Sequence, residues 1–133
     1  MSYLQGFLTI RPGAMTFNDW PLPTLERREF FVGGHLERLE LAEGIDIWIN
    51  EKQYEKASVD NLSLVIQNGE KKRLIFGNAF FATTDKLGNC ISMSNEQVDW
   101  LRAHLLTGVK SEAEFYKIID VNAAPRANVG VRS

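Results

Sequence analysis

Between Leu39 and Ile49 apolar and polar residues alternate on both sides of Glu43-Gly44, a period that fits a β-hairpin and little else. Leu39 and Leu41 alternate with Arg38 and Glu40, and Ile45, Ile47 and Ile49 alternate with Asp46, Trp48 and Asn50. A strand with this period turns one set of side chains to the core. Trp48, opposite the isoleucines, therefore needs cover from a helix, a loop or another subunit.

The flanking segments supply further elements. Residues 3–10 read as a strand that stops at Arg11-Pro12-Gly13, where proline removes a donor and glycine frees the backbone. Residues 14–23 form a loop carrying Phe17 and Trp20. Thr24 is placed to cap a helix over 25–32, with Leu25, Phe31 and Val32 near one face and Gly33 at its left-handed end. Strands over 62–67 and 71–84 meet at Asn68-Gly69, and the second is interrupted at Gly77-Asn78, as at a bulge or a close backbone approach. A short strand follows at 90–93. Ser94 and Gln97 make a capping box that opens a helix to about Leu106, ended by Gly108. A second helix over 111–121 would put Phe115, Ile118 and Ile119 on one face. The expected fold is α+β: one domain over 1–121, an antiparallel β-meander with a short helix between the first strands and two C-terminal helices. The tail, 122–133, is expected to dock on that domain or on a neighbouring subunit, with Val121, Val129 and Val131 packing there, which suggests a homo-oligomer.

A chain of 133 residues buries roughly two-thirds of its unfolded surface, enough for a core without staples. A formal net charge of -2 argues against general nucleic-acid binding, which favours a basic surface. Cys90 is the only cysteine, so no intrachain disulfide forms and a reducing compartment is expected. No basic n-region leads into a long apolar run at the start, and no segment approaches the ~20 apolar residues of a membrane helix. These features predict a cytoplasmic protein with no membrane partner.

Candidate chemistry is sparse. Gly33-Gly34 follows a helix and precedes a strand, the reverse of a dinucleotide-binding loop, and meets the partial negative charge of a helix C-terminus. The pair reads as a hinge. His35 and His104 are the only histidines and neither has a metal-ligand spacing, so no metal and no cofactor are expected. His35 with a carboxylate such as Glu51 is the remaining hydrolytic arrangement, though no spacing supports it. Lys71, Lys72 and Arg73, with Lys52, Lys56 and Arg11, make either a basic patch or a solvated flank guarding an edge strand. Aromatic faces stack on bases and arginine forks match phosphates, so Arg11, Trp20, Trp48, Tyr54 and Arg126 are suggestive as types, and Arg11, Trp20, Trp48 and Arg126 are the candidate ligand-binding residues. Asn50 either caps a turn beside Glu51 or contacts a ligand, and Asn78 either stabilises the Gly77 bulge or presents its amide to one.

Several landmarks follow in order: Arg11-Pro12-Gly13, Phe31-Val32-Gly33-Gly34, Ile49-Asn50-Glu51, IFGNAFF over 75–81, DKLGN over 85–89 and SMSNEQV over 92–98. In these the chain resembles, over residues 7–101, a family of small uncharacterised domains found in bacteriophages, plasmids and other mobile elements. It departs from that pattern at 53–61, where Lys56-Ala57-Ser58-Val59-Asp60 replaces a short proline-containing segment. The resemblance implies an accessory protein encoded near genes that blunt host immunity. Such proteins work by binding: they hold a nucleotide-derived immune signal in an oligomeric cage, or they block a host restriction or defence protein directly. The expectation is a non-enzymatic counter-defence protein that sequesters a nucleotide-derived signal between subunits, with Arg11 and Arg126 on phosphates and Trp20 or Trp48 against a base. The alternative is a protein inhibitor anchored by Phe17 and Trp20.

Overall fold

The computed structural model describes residues 6–13, 18–111 and 114–122. The chain forms β1 (Gly6–Ile10), β2 (Asn18–Pro21), helix α1 (Leu25–Val32), β3 (Leu36–Ala42), β4 (Ile45–Asn50), β5 (Leu62–Asn68), β6 (Lys71–Phe76), β7 (Ala79–Thr84), β8 (Cys90–Ile91), helix α2 (Asn95–Ala103), β9 (Leu105–Ser111) and β10 (Glu114–Asp120). Two short 3-10 turns, Gln53–Lys56 and Val59–Asn61, link β4 to β5.

The strands make two sheets. The first has the order β2-β1-β7-β4-β3, with β8 added beside β7, and every pairing in it is antiparallel. The second has the order β6-β5-β10-β9, and its β5–β10 pairing is parallel. Alternation along the strands explains how they stack. Leu8, Ile10, Ile45, Ile47, Ile49 and Phe81 face the second sheet, where Leu64, Ile75 and Ile119 meet them and Leu101 of α2 joins. On the opposite face of the first sheet, Phe7, Phe80 and Ala82 pack under Phe31 and Val32 of α1, with Leu36 and Trp48 at the margin. The first sheet is thus sandwiched between α1 and the second sheet. β7, at its centre, buries Ala79, Phe80, Phe81 and Ala82 in succession, as a strand covered on both faces must.

The fold is α+β, with one antiparallel sheet and one mixed sheet, but the chain does not run as a meander. β7 enters between β1 and β4, two strands far from it in sequence, and β10 enters beside β5. Residues 114–120 form a strand where a second C-terminal helix is expected. Tyr116, Ile118 and Ile119 belong to residue types that favour a pleated surface, and β5 offers them an edge. The helix expected to reach Leu106 stops at Ala103, because Leu105 and Leu106 pair with Ile119 and Ile118. Gly108 does not terminate a helix. It lies within β9 opposite Tyr116, whose ring fills the space a side chain would take. Residues 18–21, expected in a loop, add β2 to the sheet edge. The tail residues 123–133, including Arg126, Val129 and Val131, and Phe17 of the early loop lie outside the described residues. Among the described residues no helix is long and apolar enough to cross a membrane.

Candidate ligand-binding site

The chain converges at the C-terminal end of α1. Thr24 Oγ1 accepts from the Arg27 N–H and starts the helix; Gly33, at φ 86°, ends it. The N–H groups of Gly33 and Gly34 both donate to the Glu29 carbonyl, at 2.8 and 3.0 Å. The glycine pair is a structural hinge, and Gly34 has a further role. A Cβ there would lie 2.9 Å from Asn50 Oδ1, so any side chain at this position would force Asn50 to shift.

Asn50 and Asn78 both serve this junction. Asn50 Oδ1 accepts from the Lys52 N–H at 2.8 Å and shapes the turn after β4. Asn78 Nδ2 donates to the Phe31 carbonyl at 2.8 Å, satisfying one of the acceptors that a helix leaves open in its last turn. Gly77, at φ 84°, donates its N–H to the Asn61 carbonyl at 2.8 Å and brings the β6–β7 corner against the helix end. Between these groups lies a cleft of about 320 Å³ lined by Pro12, Phe30, Gly33, Asn50, Lys52 and Asn78, among others. The Arg11 guanidinium sits 5.3 Å from the centroid of the Phe31 ring, another lining residue. Phe30 is 87% exposed.

Of the six residues singled out in the sequence, Asn50 and Asn78 line this cleft, and Arg11 stands beside it over the Phe31 ring. Trp48 is elsewhere: it lies between α1 and the first sheet, stacked on Phe80 with ring centroids 6.3 Å apart. The cover it needs comes from the helix. Trp20 is on β2 opposite Phe7, with its side chain outside the described part, and Arg126 lies outside it altogether. Phe30 and Lys52 join the cleft without having been singled out as ligand contacts. Phe30 was legible as an aromatic beside the buried Phe31-Val32 pair, one step off the helix face that meets the core.

His35 Nδ1 lies 3.1 Å from Glu29 Oε2, so its carboxylate neighbour is Glu29 rather than Glu51, and the imidazole is 79% exposed. Glu51 contacts His35 through the main chain, its N–H donating to the His35 carbonyl. Buried His104 stacks on Trp100 and its Nδ1 lies 2.8 Å from the Trp100 carbonyl, a structural role. Lys71, Lys72 and Arg73 are exposed along β6, an edge of the second sheet, and Arg73 is 3.8 Å from Glu37. Among the described residues no group of three or more His, Cys, Asp or Glu side chains could hold a metal ion.

The cleft thus carries one cation, Lys52, and one exposed aromatic ring, Phe30, beside the C-terminal end of α1, with the Arg11 guanidinium nearby on Phe31. No protein-family model, curated protein or solved structure matches the chain.

Proposed function

We propose that the protein binds a nucleotide-derived small molecule in the cleft at the end of α1 and holds it without chemical conversion. The observation that carries this reading is the gathering of Lys52, Asn50, Asn78 and the exposed Phe30 ring around one cleft of nucleotide-fragment size, with Arg11 beside it on the Phe31 ring. Phosphate oxygens pair with Arg11 and Lys52, the base lies against Phe30, and its amino edge donates to carbonyls at the helix end. In the biological setting implied by the family resemblance, the ligand is an immune signal and the protein is a phage or mobile-element counter-defence factor acting in the host cytoplasm. Assembly into a homo-oligomer would add residues from a second subunit, Arg126 among them.

The test is a thermal-shift screen against cyclic di- and trinucleotides and ADP-ribose derivatives, followed by heat release and mass analysis of any bound compound. A ligand selective for the folded state raises Tm, by linkage about 2.7 kcal/mol of stability at a hundredfold excess over Kd. Recovery of the compound unchanged supports sequestration. Recovery of a converted product replaces it with an enzyme, and absence of any shift rejects nucleotide binding.

The exposure of Phe30 also favours a second reading, a direct inhibitor of a host defence protein with this ring as an anchor. Phe30→Ala would then abolish partner pull-down with the fold intact, whereas retained pull-down would remove the ring from that role.

A further inference from the structure

β3 is the last strand of the first sheet: it pairs with β4 on one side, and no strand of the described residues pairs with its other side. An open edge offers unpaired N–H and C=O groups to any strand that can lie beside it. Two other edges are blunted. β2 has four residues and ends in Pro21, while β6 carries Lys71, Lys72 and Arg73 and meets the Gln53 side chain at Leu74 and Phe76. Beside β3 the sandwich itself is open. A groove of about 640 Å³ lies there, lined by Leu39 and Ile66 with Arg38, Glu40 and Arg73. Leu39, Leu41 and Ile66 pack against the main core and yet are only half-buried.

The charges of β3 decide which strand fits this edge. Arg38 and Glu40 share one face, with Nη2 of the first 3.0 Å from Oε2 of the second, and Leu39 takes the other face. Arg38 is also anchored from below: its Nε lies 3.3 Å from Oδ1 of buried Asp46, whose carboxylate accepts from Thr84 Oγ1 at 2.9 Å. A second copy laid antiparallel about a two-fold axis normal to the sheet sets residues of the same face opposite each other. With Leu39 opposite itself, Arg38 meets the partner subunit's Glu40 on both sides of the axis. Centring on Arg38 sets arginine against arginine, and centring on Glu40 sets glutamate against glutamate. The irregular step between Glu40 and Ala42 comes after these three residues and leaves them in register.

We infer that the protein forms a two-fold dimer by antiparallel β3–β3 pairing centred on Leu39, which joins the two first sheets into one. The partner's Leu39 covers the groove over Leu39 and Ile66, and Arg38, held by Asp46, exchanges its own Glu40 for the partner's. Lys71, Lys72 and Arg73 along β6 keep the second sheets from pairing in the same way. This interface gives the proposed homo-oligomer a contact surface, but it rests on the strand edge and not on nucleotide binding.

Sedimentation equilibrium of the full chain is expected to show a monomer–dimer equilibrium with Kd below about 0.5 mM. Glu40→Arg, at a side chain 80% exposed, sets arginine against arginine twice and is expected to keep Tm and weaken the dimer at least about tenfold. Cross-linking in a Cys90→Ala chain reads the register. Leu39→Cys is expected to give a disulfide-linked dimer under mild oxidation, and Glu37→Cys at least about tenfold less, because residue 37 lies opposite Leu41 and not itself. A protein that stays monomeric at about 1 mM, a Glu40→Arg dimer of undiminished strength, or cross-linking of Glu37→Cys as efficient as that of Leu39→Cys would each overturn the inference. None of these variants touches the cleft at the end of α1, so this interface and nucleotide binding fail separately.

Discussion

Gly34 and Asn50 illustrate how single residues hold the helix end in place. Asn50 Oδ1 is committed to the Lys52 N–H, so it cannot retreat cheaply from a Cβ placed 2.9 Å away. Gly34→Ala is expected to cost about 1–2 kcal/mol in chemical denaturation, and Asn50→Ala in the same chain should return part of it. Strict additivity of the two would show that they do not meet. Lys117 is a liability of the opposite kind. It is buried in β10 with its Nζ 3.1 Å from Thr107 Oγ1, no described carboxylate pairs with it, and desolvation lowers its ammonium pKa from the ordinary 10.5. Between the lowered folded value and 10.5 the unfolded chain binds more protons, so stability rises with pH through that window and the penalty is complete below it. Lys117→Met should therefore stabilise the protein by about 1 kcal/mol at neutral pH and flatten the alkaline rise. A destabilised variant with an unchanged pH profile would mean that the amine has a favourable partner.

At the scale of elements, local signals were legible wherever the element is settled by its own residues. The hairpin around Glu43-Gly44 and the Ser94–Gln97 capping box form as their patterns dictate. Legibility failed where a distant partner decides. The run from Glu114 to Asp120 alone admits helix or strand, and only the open edge of β5, some fifty residues earlier in the chain, selects the strand. The candidate site divides likewise. Asn50 was legible as a turn device because its bond to the Lys52 N–H is local, whereas the bond of Asn78 to the Phe31 carbonyl, the meeting of Arg11 with Phe31 and the separation of Trp48 depend on how α1 crosses the sheet. Gln53 supplies a non-local support of the same sort. Its buried side chain accepts from the Phe76 N–H at 2.9 Å and donates to the Leu74 carbonyl at 3.3 Å, pairing with the edge strand β6 as a neighbouring strand would. Gln53→Ala should cost about 1–3 kcal/mol and speed amide exchange at Phe76. Unchanged protection there would assign the edge to another cover.

For the whole molecule, three layers put α1 on one face of the first sheet and the second sheet on the other, and the candidate cleft lies at the C-terminal end of this short helix. Each face of the first sheet carries its own apolar cluster, and Asp46, Gln53, His104 and Lys117 are buried polar groups away from α1. Nucleotide binding at the helix end predicts that Arg11→Gln and Lys52→Gln together weaken the best nucleotide by about tenfold or more while Tm of the empty protein is preserved. A map of backbone amide shifts during titration with that nucleotide tests the account most directly. Saturable shifts gathered at Gly33, Asn50, Lys52, Gly77 and Asn78 are the expected result; shifts confined to other surfaces, or none at saturating nucleotide, would contradict it.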